Sequence, residues 1–296
     1  MTDPLSDVLM ALGANVTRRT RLEAAGQWAL SFPAFDRLKF VALLKGTAWL
    51  IVPRQEPQLL RPGDVCLIGR TTYAVASHPN MPLRDGRPFY DGCDVAHLNG
   101  NDTIALGGTV TFSPGNTDFL LDMLPDFFPV PRSSPASEAV STILTLLNNE
   151  VDRGAMGSQI VSARLADVLL VEAIRAYAEG GERLRTGWLG ALSDPRLGCA
   201  LRAVHENIAR PWTVAQLASV AGMSRAAFSA AFARQVGQPP LSYVRTWRLT
   251  LARAALRRAD ADIASIGREL GYTSHSAFTY AFRRAFGAAP KVMART

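Results

Sequence analysis

The C-terminal third of the chain contains one helical pattern twice, and this repeat constrains the fold more than any other feature. "SRAAFSAAFARQVGQPP" begins at Ser224 and "SHSAFTYAFRRAFGAAP" begins at Ser274. In each copy the serine can cap the start of a helix, and a later glycine can adopt the left-handed conformation that ends it. Each copy also follows a short helical segment that ends in glycine, "VAQLASVAG" or "IASIGRELG". Two copies in this register predict two helix-turn-helix motifs.

The paired phenylalanines assign a buried and an exposed face to each repeated helix. Phe228 and Phe232, like Phe278 and Phe282, are one helical turn apart and are expected to face the core. The residues expected on the outer faces and their flanks are Ala226, Ala230, Ala233 and Arg234 in the first copy, and His275, Ser276, Thr279, Tyr280, Arg283 and Arg284 in the second. A solvated helix face would have the same pattern, but the duplication and the serine caps favour DNA recognition.

The charge of the chain is unevenly divided. The 296 residues carry a net charge of +7, but residues 187–296 alone carry +10 and residues 1–186 carry −3. A basic segment joined to a slightly acidic one indicates a polyanion partner for the basic segment. We therefore expect double-stranded DNA to bind the C-terminal third.

A single long helix is predicted between the two copies. "PLSYVRTWRLTLARAALRRAD" is helical in pattern from about 241 to 258, which corresponds to a length of roughly 27 Å. A rigid helix of this length can hold two recognition helices about one duplex turn apart, roughly 34 Å. One chain would then read two successive major grooves.

The first 180 residues have a different pattern. Short β-rich runs separated by turn residues extend from about 26 to 112 and are typical of an antiparallel barrel or sandwich. "TDFLLDML" predicts a short helix. Residues 136–180 predict a hairpin of two helices, the first ending at Gly154 and the second at Gly180–Gly181. The predicted fold is α+β in two domains: residues 1–180 with a β-barrel and a helical hairpin, a linker over 181–195, and an all-α domain over 196–296.

These motifs together resemble a known family. "WTVAQLASVAGMSRAAFSAAF", "GQPPLSYVRTWRL" and "IGRELGYTSHSAFTYAFRRAFGAAP" are similar to the DNA-binding domain of the AraC/XylS transcription regulators. "DPLSDVL", "WALSFP", "KGTAWL", "RPGD" and "LLDMLPDFF" resemble the cupin-type sensor domain of a subgroup of that family. The resemblance implies homodimers, ligand-responsive control of DNA binding and RNA polymerase as a further candidate partner. The base-reading positions it implies are Arg225, Ala226, Ser229 and Ala230, followed by His275, Ser276, Thr279 and Tyr280.

The first recognition helix departs from the usual chemistry of base reading. Ala226 and Ala230 can contact a thymine methyl group but cannot donate paired hydrogen bonds to a base. Two explanations remain open. Either Arg225 and Ser229 read that half-site, or its specificity comes from DNA shape and from phosphate contacts.

The N-terminal half is expected to bind a ligand without doing chemistry. Metal-binding cupins need clustered histidines with a carboxylate. The segment "KFVALLKGTAW" has no histidine, and Tyr73 occupies the position where a metal-binding histidine would be expected. No cofactor, metal or catalytic residue is expected. The candidate ligand-binding residues are Trp28, Trp49, Tyr73, Phe89, Tyr90, Cys93 and His97. Aromatic residues in a β-barrel more often belong to the core than contact a ligand, and Cys93 could be a redox sensor beside His97 or an inert thiol.

The sequence therefore predicts a DNA-binding transcription regulator that responds to a small molecule or an oxidant. Three widely spaced cysteines, an acidic N-terminus and the lack of a long apolar run predict a cytoplasmic protein with no membrane partner. The alternatives are a cupin-type enzyme with an appended helical domain and an architectural protein that ignores DNA sequence. Apolar positions on the second helix of the hairpin, centred on Leu169, predict a homodimer through 136–180.

Overall fold

The structure is a computed structural model that describes residues 3–113, 117–130, 136–153, 155–179, 187–257 and 262–294. Its internal contacts divide the chain into two compact units. The helical unit combines Met1–Ala14, Phe112–Met123 and Thr186–Thr296, and the sheet unit combines Asn15–Thr111 and Leu124–Arg185. By this division Met1–Ala14 and Phe112–Met123 group with the C-terminal helices, whereas the sequence prediction places them in the domain of residues 1–180.

The described residues contain twelve α-helices and eleven strands. The helices are α1 Pro4–Leu12, α2 Thr117–Leu121, α3 Ser137–Arg153, α4 Ser158–Glu179, α5 Gly187–Ser193, α6 Pro195–Glu206, α7 Val214–Val220, α8 Arg225–Val236, α9 Pro240–Ala255, α10 Ile263–Glu269, α11 His275–Phe286 and α12 Pro290–Met293. The strands are β1 Asn15–Ala24, β2 Ala29–Phe32, β3 Leu38–Lys45, β4 Ala48–Ile51, β5 Gln58–Leu60, β6 Val65–Ile68, β7 Tyr73–Ala76, β8 Arg84–Asp85, β9 Val95–Leu98, β10 Thr103–Thr111 and β11 Phe127–Pro129. No helix of the described residues is long and apolar enough to cross a membrane.

The strands form two separate sheets, so the predicted β-barrel is not closed. One sheet has the order β11-β6-β3-β10-β1-β9 and the other the order β5-β4-β7-β2-β8. Most neighbours are antiparallel, but β1–β9 and β2–β8 are parallel. No strand pairing joins the two sheets in the described part of the chain. The second sheet consists of strands of two to four residues, which are too short to continue the long β1–β10–β3 ladder around a barrel.

The sheets face one another across an apolar core. Leu22, Val41 and Ala105 come from the first sheet, and Leu30 and Val75 come from the second. Inward-facing apolar residues recur along these strands, and this recurrence is the pattern that predicts strands from the sequence. The strand β1 was not recognised, because "NVTRRTRLEA" is dominated by charged side chains and only three of its ten residues are buried.

The predicted helical hairpin and the short helix are present. α3 and α4 lie in the sheet unit, and the Asp167 carboxylate on α4 accepts a hydrogen bond from the Val16 backbone N–H of β1 at 2.9 Å. The glycines predicted to end these helices, Gly154 and Gly180–Gly181, lie outside the described residues. The short helix "TDFLLDML" is α2, and it belongs to the helical unit.

The predicted linker is helical over much of its length. Residues 181–186 lie outside the described residues, but the next seven form α5, whose Trp188, Leu189 and Ala191 are buried. Asp194, predicted to close the linker, caps α6 instead. Its carboxylate accepts the backbone N–H groups of Arg196 and Leu197, each at 2.8 Å. A buried tryptophan explains the difference, since an apolar side chain of that size is placed in a core rather than in an exposed connection.

Candidate nucleic-acid interface and ligand cavity

The first helix-turn-helix motif consists of α7 and α8. Thr213 and Gln216 form a reciprocal capping box at the start of α7, with bonds of 3.0 and 3.2 Å. Gly222 makes the turn with a φ of +62°, and the Ser224 hydroxyl then accepts the Ala227 backbone N–H at 3.3 Å. Each signal predicted from the sequence therefore has its expected role.

The second motif repeats this arrangement with α10 and α11. The Asp262 carboxylate caps α10 by accepting the N–H groups of Ala264 and Ser265. Gly271 turns the chain with a φ of +82°, and a Cβ at this position would collide with the Ala209 backbone. Ser274 then caps α11 by accepting the Ala277 N–H at 3.1 Å. Glycine is thus required in this turn both for its backbone angle and for its lack of a side chain.

The two recognition helices bury their phenylalanines and expose the opposite face. Phe228, Phe232, Phe278 and Phe282 are at most 1% exposed. The predicted DNA-contacting residues that are exposed are Arg225, Ala226, Ala230, Arg234, His275, Ser276, Tyr280, Arg283 and Arg284. Ser229 and Thr279 are half-buried at the edge of the face. The structure therefore brings the predicted set onto two outward-facing helical surfaces.

The helix between the motifs contacts both recognition helices. α9 is 16 residues long, or about 24 Å, and packs against α8 and α11. It is shorter than predicted, ending at Ala255 with Leu256 as its cap, and Arg258 lies outside the described residues. Leu249 and Ala252 of α9 share one buried cluster with Phe278 and Phe282. Because both motifs pack on one continuous helix, their spacing is fixed within the helical unit.

A buried chain of hydrogen bonds joins α1, α5, α6 and α9. Trp188 Nε1 lies 3.1 Å from the Tyr243 hydroxyl, which lies 2.8 Å from His205 Nε2. His205 Nδ1 lies 3.1 Å from the Asp7 carboxylate. A carboxylate only accepts, so Nδ1 donates to Asp7, and Nε2 of the neutral ring accepts from Tyr243. Burial outweighs the Asp7 contact and holds the pKa of His205 well below its ordinary value of 6.5.

This network predicts that acid weakens the helical unit. Because the folded-state pKa of His205 lies below its unfolded value, its contribution to stability is complete above about pH 6.5 and is lost as the pH falls. Each pH unit below 6.5 is expected to cost up to about 1.4 kcal/mol of unfolding free energy. Urea unfolding of the full chain at pH 7.5, 6.5 and 5.5 measures the effect. His205→Gln should show a shallower pH dependence than the unchanged protein, and equal slopes would contradict the prediction.

A cavity of about 590 Å³ lies between the two sheets of the sheet unit. Its walls come from β1, β3 and β10 on one side, and from β2, β7 and the segment around Arg87–Tyr90 on the other. The residues that line it include Arg18, Thr20, Leu22, Phe32, Phe35, Arg37, Lys39, Val41, Tyr73, Val75, Arg87, Tyr90 and Ala105. Its volume suits a small organic ligand.

The predicted ligand-binding residues are only partly gathered at this cavity. Tyr73 and Tyr90 line it, whereas the remaining predicted residues do not. Trp28 belongs to the apolar core between the sheets, Phe89 packs against that core, and Trp49 is half-buried. Sequence reasoning missed Lys39 and Arg37, although a lysine within the apolar run "LKFVALL" was an available signal.

The structure does not place Cys93 and His97 on one strand. The strand that contains His97 begins only at Val95, so it does not include Cys93. Cys93 is exposed, and its thiol lies 3.4 Å from the carbonyl oxygens of Phe89 and Val95. His97 is also exposed and contacts the Glu23 carboxylate at 3.0 Å.

Comparisons with known proteins agree with this architecture. Residues 3–179 match the family described as Cupin, and residues 217–296 match the family described as Helix-turn-helix domain. An AraC-like transcription regulator of Streptomyces lividans is 37% identical over 97% of this chain and 96% of its own length. The HTH-type transcriptional regulator AlkR of Acinetobacter baylyi is 29% identical over 98% of each chain. The DNA-binding domain of AdpA in complex with a target DNA matches 34% of this chain and 92% of its own, with 26% identity and a TM-score of 0.33. The chain belongs to the AraC-like transcription regulators.

Proposed function

We propose that this regulator reads two successive major grooves of double-stranded DNA with α8 and α11. The observation that carries the proposal is the pair of serine-capped helices whose arginine-bearing faces are exposed and whose opposite faces pack near one rigid helix, α9. The residues proposed to read bases are Arg225, Ala226, Ser229 and Ala230 on α8, and His275, Ser276, Thr279 and Tyr280 on α11. The residues proposed to contact phosphates are Arg234, Arg283 and Arg284.

A footprint on DNA tests this proposal. The purified protein is incubated with DNA from upstream of its own gene, and protection from cleavage is mapped. We expect two protected half-sites per chain, about one helical turn apart. Equal protection of unrelated DNA would indicate an architectural protein, and an absence of protection would remove the proposed mode of binding.

Base-reading and phosphate-binding residues should respond differently to substitution. Tyr280→Ala is expected to relax specificity at particular base pairs, by about 1–3 kcal/mol of discrimination. Arg283→Ala is expected to weaken all sites together and to lower the salt dependence of log K by about one. Affinities for matched and mismatched operators across a salt series measure both effects. Arg61→Ala, an exposed arginine of the sheet unit, is the control. If Arg283→Ala matched that control at every salt concentration, the proposed DNA-binding face would be wrong.

We also infer that a small molecule in the cavity between the sheets modulates DNA binding. The support for this is a cavity of suitable size, lined by both apolar and polar side chains, in the part of the chain that matches the Cupin family. A cytoplasmic location and contact with RNA polymerase stay predictions from the sequence.

We further propose a homodimer through the helical hairpin. Ile160 is 70% exposed, Val168 is 47% exposed and Val161 is 44% exposed, all on α4. Leu146 on α3 is 48% exposed. Large apolar side chains with this exposure are a liability in a single chain, and a two-fold pairing of the hairpins would cover them. Leu169, at the centre of the face predicted from the sequence, is fully buried within its own chain, so it is not available to a partner.

A further inference from the structure

The cavity between the sheets has a cationic lining that is only partly neutralised. Its charged side chains are Arg18, Arg37, Lys39, Arg87, Asp85 and Asp91. Arg87 is paired with Asp85 at 2.7 Å, and Arg18 is paired with Asp94 at 3.3 Å. Arg37 and Lys39 form no ion pair within the described ranges of the chain, and Asp91 is exposed. Two cationic groups are therefore left to interact with whatever occupies the cavity.

Lys39 is the more enclosed of the two. It lies on β3 between β6 and β10, and its side chain is half-buried. The ammonium nitrogen is 4.3 Å from the centre of the Phe35 ring, 5.5 Å from Tyr73 and 5.6 Å from Phe32. Three aromatic faces attract a cation, but they supply no charge of opposite sign. A partly desolvated ammonium without a carboxylate gains most from an anionic ligand.

Apolar side chains form much of the remaining wall of the cavity, beside the polar groups of Thr20, Thr109, Tyr73 and Tyr90. Leu22, Val41, Val75 and Ala105 line it together with the Phe32 ring. Such walls bind a hydrophobic body and bring its polar group to the few charged side chains present. The cavity thus combines an apolar interior with two cations that have no ionic partner.

We propose that this cavity binds an organic anion with an apolar body, of the class of hydrophobic monocarboxylates, and that Lys39 and Arg37 hold its charged group. The inference rests on the proposed sensing function and gives the chemical class of the ligand. A neutral ligand of equal shape would leave both cations unpaired and is expected to bind less tightly.

The protonation of Lys39 gives this binding a pH dependence. Burial, with smaller effects from Arg37 and Arg18, lowers the pKa of Lys39 from 10.5 to about 8. The phenols that face the cavity, Tyr73 and Tyr90, have raised pKa values because they are buried, so they stay neutral. The other charged groups that line the cavity are Asp85, Asp91, Arg18, Arg37 and Arg87. Affinity for a carboxylate should therefore be constant below about pH 8 and fall above it.

Calorimetric titration of the full chain with 2-naphthoate and with its neutral counterpart 2-naphthamide tests the proposal. The naphthoate is expected to bind at least tenfold more tightly at pH 7 and to lose that preference between pH 8 and 9.5. Lys39→Met should reduce naphthoate affinity about tenfold or more while leaving naphthamide affinity unchanged. Lys45→Met is the matched control, because Lys45 lies at the end of the same strand, does not line the cavity and donates to the Asn101 carbonyl.

The outcomes separate this inference from the proposed function. Equal binding of the two probes, or an unchanged preference in Lys39→Met, would overturn the anionic class while leaving ligand sensing intact. Failure of both probes to bind at millimolar concentration would also overturn it, and the DNA footprint would still decide the proposed DNA binding independently.

Discussion

Trp188→Ala is expected to destabilise the helical unit by about 3–5 kcal/mol. The side chain is fully buried, and its indole N–H donates to the Tyr243 hydroxyl. The substitution therefore creates a large cavity in the core of the DNA-binding helices and also removes a buried hydrogen bond. Urea unfolding followed by circular dichroism measures the loss, which should fall on the transition of the helical unit.

Two further variants serve as controls for Trp188→Ala. Trp188→Phe keeps an aromatic ring in the core but loses the N–H group and part of the indole volume, so it should cost less than half as much. Trp49→Ala, at a half-buried tryptophan of the sheet unit, should leave the helical transition in place. A change below about 1 kcal/mol for Trp188→Ala would mean that α5 is not part of this core. By the same reasoning, a fragment of residues 194–296 should be less stable than one of residues 187–296.

Val168→Glu is expected to convert the proposed dimer to a monomer. The residue is exposed within the single chain, so a charge there should change the stability of the chain by only about 0.5 kcal/mol. In a dimer the same carboxylate would be buried without a partner. Loss of two-site attachment would then weaken operator binding by about 10²–10⁴-fold. Sedimentation at tens of micromolar and operator titration measure the two effects.

Leu59→Glu is the matched control for the dimer. Leu59 is also an exposed apolar residue, 39% accessible, but it lies on β5 at the edge of the second sheet. This variant should sediment and bind DNA like the unchanged protein. The proposed interface would be excluded if the unchanged protein sedimented as a monomer, or if both variants behaved alike.

The helix-turn-helix motifs were predictable because their determinants are local. Ser224, Ser274 and the turn glycines act on backbone groups within a few residues, so a single sequence contains the whole signal. Whether the strands close into a barrel or form two sheets was not predictable, since it depends on the lengths and pairing of strands far apart in the chain. β1 was missed for a related reason: Arg18 and Arg19 contact groups far away in the sequence, the Asp94 carboxylate and the Gln159 carbonyl, which no local pattern displays.

Which segments make up the helical unit could not be predicted for the same reason, because the contacts that join them are distant in the sequence. Trp188 falls within the predicted linker, and His205 was not predicted as a contact residue, because their partners Tyr243 and Asp7 are 38 to 198 residues away. The cavity cations were not among the predicted ligand-binding residues, because that prediction rested mainly on aromatic side chains. Lys39 became informative only when its ammonium was placed among three rings.

The packing of α1 on α6 and α9 has a consequence for synthesis of the chain. Leu5, Val8 and Leu12 are almost fully buried, yet α9 follows some 230 residues later. At roughly 5–20 residues per second, this apolar helix leaves the ribosome about 10–50 seconds before its partner exists. The DNA-binding unit therefore cannot complete its core until translation is almost finished. A nascent chain would have its first helix exposed throughout that interval, available to chaperones or to premature association.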